Sequence, residues 1–216
     1  MLNTRIRCLL FDLDDTLYPQ DNGVWDMVRV RINRYMLEEM GFAPEDIPEL
    51  RHRLWQQYGT TLRGLQAEFS VNMDAFLDYV HDIPLETVLQ PHPPLAALLD
   101  ALPQRKVIFT NAHAAHAQRV LKALGIEEHF EQIVDIYAVQ PYCKPHPQAF
   151  QAALNLIGES PEACLLIDDS PKNLETALSL GFSALSVGRH SSDGIPHINT
   201  ILDLRDVLDN EILGDW

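Results

Sequence analysis

A chain of 216 residues, 46% hydrophobic and 22% charged, suits one domain with a sizeable insert, or one large and one small domain. Its net charge of −15, from 16 basic and 31 acidic residues, argues against nucleic-acid or anionic-membrane binding by bulk electrostatics. Cys8, Cys143 and Cys164 form no CxxC pair, no signal-peptide pattern heads the chain and no apolar run reaches bilayer length, so a cytoplasmic protein without a disulfide framework or structural zinc is expected.

In chain order, Ile6–Phe11 reads as a buried strand covered on both faces. Residues 18–89 then change character. Val24, Met27, Val28, Ile32, Tyr35 and Met36 recur at helical spacing up to Gly41, and Ile47, Leu50, Leu54 and Trp55 repeat the pattern up to Tyr58-Gly59. Leu62, Leu65 and Phe69 predict a third helix, and Phe76, Leu77 and Val80 a fourth. The region reads as an all-helical insert without strands. From Pro91 onward, helices over 95–102, 112–124, 147–157 and 198–208 are expected. Strands are expected over 106–110, 133–136, 163–167 and 183–187, and Ser170-Pro171 should open another helix that Gly181 stops. Such alternation predicts an α/β fold, a doubly wound Rossmann-like parallel sheet. Residues 1–17 and 90–216 would form the core and 18–89 a helical cap; Gly188–Pro196 reads as the flexible stretch.

The first strand runs into Asp12-Leu13-Asp14-Asp15-Thr16, whose carboxylates repel one another unless a cation or hydrogen-bond donors lie among them. Alternation along an extended chain puts Asp12 and Asp14 on one side, a hard-oxygen arrangement suited to Mg²⁺. An acidic turn is the plainer reading. Thr110-Asn111, Lys144 and Asp168-Asp169 are equally ordinary singly, as caps or a solvated lysine. An open parallel sheet would collect them all at the carboxyl edge of its strands.

Four segments, DLDDT (12–16), FTN (109–111), CKPHP (143–147) and IDDS (167–170), occur in the order found in the haloacid dehalogenase-like phosphohydrolase superfamily, which the chain resembles over essentially its whole length. The resemblance implies the doubly wound core with an inserted helical cap, and an Mg²⁺-dependent phosphomonoesterase. In it Asp12 attacks phosphorus to form an aspartyl-phosphate, and Asp14 protonates the leaving group and then activates water. Thr110, Asn111 and Lys144 would hold the phosphate. The metal would sit on Asp12, the Asp14 carbonyl and Asp169, with Asp168 in or near its second shell. Asp14 favours phosphatase over dehalogenase, because displacing halide from carbon needs no such acid.

Leu17-Tyr18-Pro19, Tyr58-Gly59-x-x-x-Arg63-Gly64-Leu65 and Thr110-Asn111-Ala112 look like the pyrimidine 5′-nucleotidase branch. The expected substrate is therefore a small phosphorylated metabolite, a nucleotide such as UMP or CMP. Tyr58 and Arg63 would read the ring from a glycine-framed loop; a helix–loop–helix turn with a solvated arginine is the alternative. A sugar phosphatase, or a non-catalytic regulatory protein on the same fold, remains open. His113 and His116 lack a third ligand for a metal and read as surface or packing residues. Trp25 and Trp55 read as packing residues, and Trp216 as part of a tail.

Overall fold

The computed structural model describes residues 6–189 and 194–209, so Trp216 and most of the residues between Gly188 and Ile195 fall outside the description. Its centre is a parallel sheet of β1 (Cys8–Phe11), β2 (Arg105–Phe109), β3 (Gln132–Val134), β4 (Cys164–Asp168), β5 (Ser183–Val187) and β6 (His197–Ile198). The strand order is β3-β2-β1-β4-β5-β6, a doubly wound arrangement with its switch point at β1 and β4. Strand alternation sorts Leu9, Phe11, Ile108, Leu165 and Ile167 into one core and Cys8, Leu10, Val107, Phe109 and Leu166 into the other. Both faces are covered, which is why these strands read as continuous apolar runs. Helices α5 (Pro93–Ala101), α6 (Ala114–Leu124) and α9 (Leu204–Asp209) bury their apolar stripes on the first face. Helices α7 (Pro147–Ile157) and α8 (Pro171–Ser179) cover the second.

Between β1 and α5 lie α1 (Val24–Glu38), α2 (Ile47–Tyr58), α3 (Thr61–Phe69) and α4 (Met73–His81). Val28, Ile32 and Tyr35 of α1 meet Phe76, Leu77 and Val80 of α4, with the Tyr35 and Phe76 rings edge to face at 5.0 Å. Gly64 lets α3 press on α2, because a Cβ there would stand 2.6 Å from the Leu54 side chain. These helices share one continuous apolar core with the first face of the sheet.

Several boundaries shift by a residue or two from the periodicity, and two of the differences have a local cause. Helix α6 starts at Ala114 instead of 112, because Thr110 Oγ1 accepts the Ala112 N–H and Asp135 Oδ2 accepts the Ala114 N–H at 2.8 Å. Ile198, expected to be helical, pairs with Val187 as the edge of the sheet, and the last helix begins only at Leu204.

Candidate active site

The registers Phe11↔Ile108 and Phe11↔Ile167 bring the next residue, Asp12, level with Asp168 on the neighbouring strand. The Asp12 N–H donates to Ile167 O at 2.9 Å. Two buried carboxylates on adjacent strands need a cation between them, and the ammonium of Lys144 provides it, 2.8 Å from Asp12 Oδ1 and 2.7 Å from Asp168 Oδ2. Lys144 is 1% exposed. Burial opposes its charge, but Asp12 and Asp168 more than compensate and raise its pKa. Burial pushes the Asp12 carboxyl well above its ordinary range, and repulsion from Asp168 and Asp169 adds to this against the pull of Lys144.

Asp168 is fully engaged. Its Oδ1 accepts from the Ser170 amide and Asn173 Nδ2, and its Oδ2 from Lys144 and Asn173. Ser170 is the N-cap of α8 with Pro171 in its first turn, as expected, and its hydroxyl makes no capping bond among the described residues. Asp169 has one side-chain donor, Gln20 Nε2 at 3.1 Å, and burial with the neighbouring Asp168 raises it to about 6. Asp12, Asp168 and Asp169 each offer one oxygen within 4.8 Å of the others.

Asp14 is not part of that group, although it lines the same cavity as Asp12. Extended backbone ends at the site: Thr16 and Leu17 donate to Leu13 O, and Asp15 sits at φ 64°. This left-handed residue turns the chain, and Asp tolerates it better than most side chains do. The Asp14 carboxylate then accepts both of its side-chain bonds on Oδ1, from the Tyr18 hydroxyl and from His116 Nε2 at 2.9 Å. Burial alone would raise it, but His116 and Tyr18 outweigh that and hold it at about 2. Asp15, raised to about 7 by burial and then by Asp169 and Asp14, keeps a buried Oδ1 without a partner among the described residues.

Lys144 owes its position to Asn111. The Asn111 amide donates to Lys144 O and accepts from Lys144 N, both at 2.9 Å. The side chain expected on phosphate thus pins the loop that delivers the lysine. Gly59 supports the same loop from the cap: at φ +83° it lies so close that a Cβ would stand 2.9 Å from Lys144 O. Gly59 therefore meets a neighbouring loop of the protein, and the expected glycine-framed loop is not formed, since Gly64 lies within α3 against Leu54.

Arg63 and Tyr58 also lie elsewhere than expected. Arg63 is buried, and its Nη2 donates to Ile136 O at 3.0 Å and Tyr142 O at 2.9 Å, tying α3 to the segment before Lys144. Tyr58 packs at the edge of the core, with its hydroxyl accepting from Gln57. Neither lines the cavity of about 860 Å³ that opens over Asp12, Asp14, Thr110 and Lys144.

Residues passed over in the sequence line the cavity instead. Trp25 and Trp55, read as packing, are 42% and 44% exposed. Both border the cavity with Arg51, His52 and Lys172, and the Lys172 ammonium lies 4.4 Å from the Trp55 ring centre. Trp55 follows buried Leu54 by one step on α2, too little rotation for periodicity to separate lining from core. Arg51 donates Nη1 to Asn33, while its buried Nε has no partner among the described residues. His116, read as surface or packing, is wholly buried and reaches Asp14.

Residues 6–181 match the haloacid dehalogenase-like hydrolase family. The chain is 30% identical to Phosphate metabolism protein 8 of Saccharomyces cerevisiae over 81% of its own length, and spans 59% of that protein. It is 28% identical to the phosphoglycolate phosphatase of Neisseria gonorrhoeae, with 85% of the chain and 79% of the relative aligned. The L-2-haloacid dehalogenase of Xanthobacter autotrophicus, solved with chloropropionic acid covalently bound, superposes with a TM-score of 0.62 over 94% of this chain and 98% of that one. At 16% identity that likeness concerns the fold alone. None of the three bears the name of a pyrimidine 5′-nucleotidase. Among the described residues no helix is long and apolar enough to cross a membrane.

Proposed function

The chain belongs to the haloacid dehalogenase-like hydrolase family, and we propose that it is an Mg²⁺-dependent phosphomonoesterase whose substrate is a pyrimidine nucleoside 5′-monophosphate. The separation of two carboxylates carries this reading: Asp12 is held against Lys144, and Asp14 is held apart against His116 and Tyr18. Phosphoryl transfer from an alkyl ester needs both a nucleophile and an acid for the alkoxide, whereas displacement of halide needs only the first.

An Asp12 oxygen attacks phosphorus and the ester P–O bond breaks. The departing alkoxide takes its proton from Asp14, whose carboxyl must pick one up as the anionic phosphate arrives. Water then attacks the aspartyl-phosphate and gives its proton to Asp14, releasing phosphate and restoring Asp12. Lys144 and Thr110 balance charge on the phosphoryl oxygens. Mg²⁺ fits the site, since the donors are carboxylate oxygens and Asp12 stays difficult to ionise without another cation. Asp12, Asp169 and the Asp14 carbonyl would hold it, with the already occupied Asp168 behind them. When bound, it would offset repulsion between the anionic nucleophile and the phosphate.

The cavity supports the nucleotide. A space of about 860 Å³ with Trp25 and Trp55 on its wall exceeds the needs of a two-carbon acid and suits a flat ring. Arg51, His52 and Lys172 add donors for ring acceptors. A second reading, a phosphorylated small acid, draws on the phosphoglycolate phosphatase relative and on the same cations, which could hold a second anion. The intact nucleophile, lysine and acid weigh against a silent binding protein.

Phosphate release from UMP, CMP, phosphoglycolate and a sugar phosphate, with and without Mg²⁺, tests this. The expected result is Mg²⁺-dependent release with kcat/KM for UMP or CMP at least about tenfold above phosphoglycolate, abolished by Asp12→Asn. Turnover by Asp12→Asn near the wild-type rate would refute the mechanism, and preference for phosphoglycolate would transfer the substrate to the second reading.

A further inference from the structure

Asp14 is joined through His116 to an arrangement of imidazoles that the reaction above does not use. His116 lies on α6, three residues beyond His113 and three before Arg119, so all of them face one side of that helix. On that side stands the end of α4. The His81 ring stacks on His116 with centroids 4.2 Å apart at 22°, and on His113 at 4.6 Å and 12°. Arg119 fixes the chain that carries His81, donating to His81 O at 2.7 Å and Ile83 O at 2.6 Å. His81 and His116 are buried. The rings lie face to face, so their nitrogens do not converge on a common point, and among the described residues no histidine belongs to a group able to hold a metal.

We propose that His116 is the positioning residue for Asp14, and that His81, carried by the cap helix α4, holds the His116 ring in place by stacking. The reasoning is geometric. An ionised carboxylate can only accept, so His116 Nε2 donates to Asp14 Oδ1, the same oxygen that accepts from the Tyr18 hydroxyl. With both donors on Oδ1, the carboxylate cannot rotate freely and Oδ2 is left for the leaving-group oxygen. His116 reaches the site through Asp14, and His81 also borders the cavity. His116 has no other ring hydrogen bond among the described residues, its Nδ1 being buried without a partner, so its orientation rests on that one bond and on the stacked faces. The neighbouring face belongs to the cap. The acid is therefore aligned only while α4 is seated on α6, which links cap closure over the substrate to readiness for proton transfer.

This inference rests on Asp14 being the acid, and the experiment separates the two. kcat/KM is measured for alkyl esters (UMP and phosphoglycolate), whose alkoxide needs a proton, and for p-nitrophenyl phosphate, whose leaving group does not. The quantity read is the alkyl-to-aryl ratio, because kcat/KM reports the steps up to aspartyl-phosphate formation. His116→Leu is expected to lower that ratio at least about tenfold. His116→Gln, which keeps an N–H donor at similar reach, should restore it to within about threefold. His81→Ala should lower it about threefold or more, and His81→Phe, which keeps a flat face, should not. Equal losses on both ester types in His116→Leu and His116→Gln would make His116 a packing residue and overturn the inference. So would a ratio unmoved in both. Equal ratios for His81→Ala and His81→Phe would overturn the cap's part in it. Asp14→Asn distinguishes the premise: if it too leaves the ratio unmoved, the phosphatase mechanism fails and the role of His116 with it. If Asp14→Asn lowers the ratio and His116→Leu does not, the mechanism stands and only the positioning role falls.

Discussion

Replacing Arg63 by alanine tests whether this side chain reads the substrate or fastens the cap. Its Nη2 bonds to Ile136 O and Tyr142 O hold α3 against the segment leading to Lys144. A hydrogen bond from a charged donor contributes roughly 1.5–3 kcal/mol, and water entering the gap recovers part of that. Two such bonds make the expected loss about 3 kcal/mol. For a chain of this length that corresponds to a fall in Tm of roughly 6–12 °C. Catalytic losses should be uniform, because the displaced element is the Lys144 loop, which every phosphate ester needs. Calorimetry would be paired with kcat/KM on UMP and on p-nitrophenyl phosphate at a temperature where the variant is folded. Arg63→Lys, with one charged nitrogen in place of a fork, should fall between alanine and wild type. An unchanged Tm with a loss confined to UMP would refute the fastening role and return Arg63 to substrate recognition.

Gly59→Ala should reduce turnover at least about tenfold on every substrate, since its Cβ would stand 2.9 Å from Lys144 O in a backbone region costly for alanine; steady-state kinetics at a temperature where the variant is folded would check it, and normal rates would refute it. Lys144→Met leaves Asp12 and Asp168 buried without their shared cation, so it should abolish turnover and cost about 3–5 kcal/mol by urea titration. Chelation by EDTA should remove activity and Mg²⁺ restore it, whereas persistence in metal-free buffer would contradict the carboxylate cluster's proposed use. Burial, with His116 and His113 nearby, holds His81 well below its ordinary pKa, so below about pH 6.5 the unfolded chain binds a proton that the folded one refuses. That contribution to stability is present at pH 7 and is lost as pH falls, by up to about 1.4 kcal/mol per pH unit. Other groups titrate there too, so the measurement is the difference in urea midpoint against pH between wild type and His81→Phe, and parallel curves would refute it.

What the sequence determined by itself is the core: apolar strands with both faces covered, helices between them, and the polar residues at their carboxyl ends. Those follow from local chemistry, because a run such as Cys8–Phe11 can only be buried and a parallel sheet must gather its strand ends at one edge. Asp12, Thr110 and Asp168-Asp169 were legible for that reason, and Lys144, in a loop beyond β3, through the CKPHP segment. The tertiary structure decided how contacts distant in sequence divide the work among these residues. Asn111 holds a loop 33 positions away, and Arg63 reaches carbonyls 73 and 79 positions away. Asp14 is bound by a histidine 102 positions on. Trp25 and Trp55 face a cavity because of where α1 and α2 rest, and helical spacing alone does not distinguish a lining residue from a packed one. Local periodicity encodes which residues are buried; which neighbour each polar group finds inside depends on how the cap and the sheet meet.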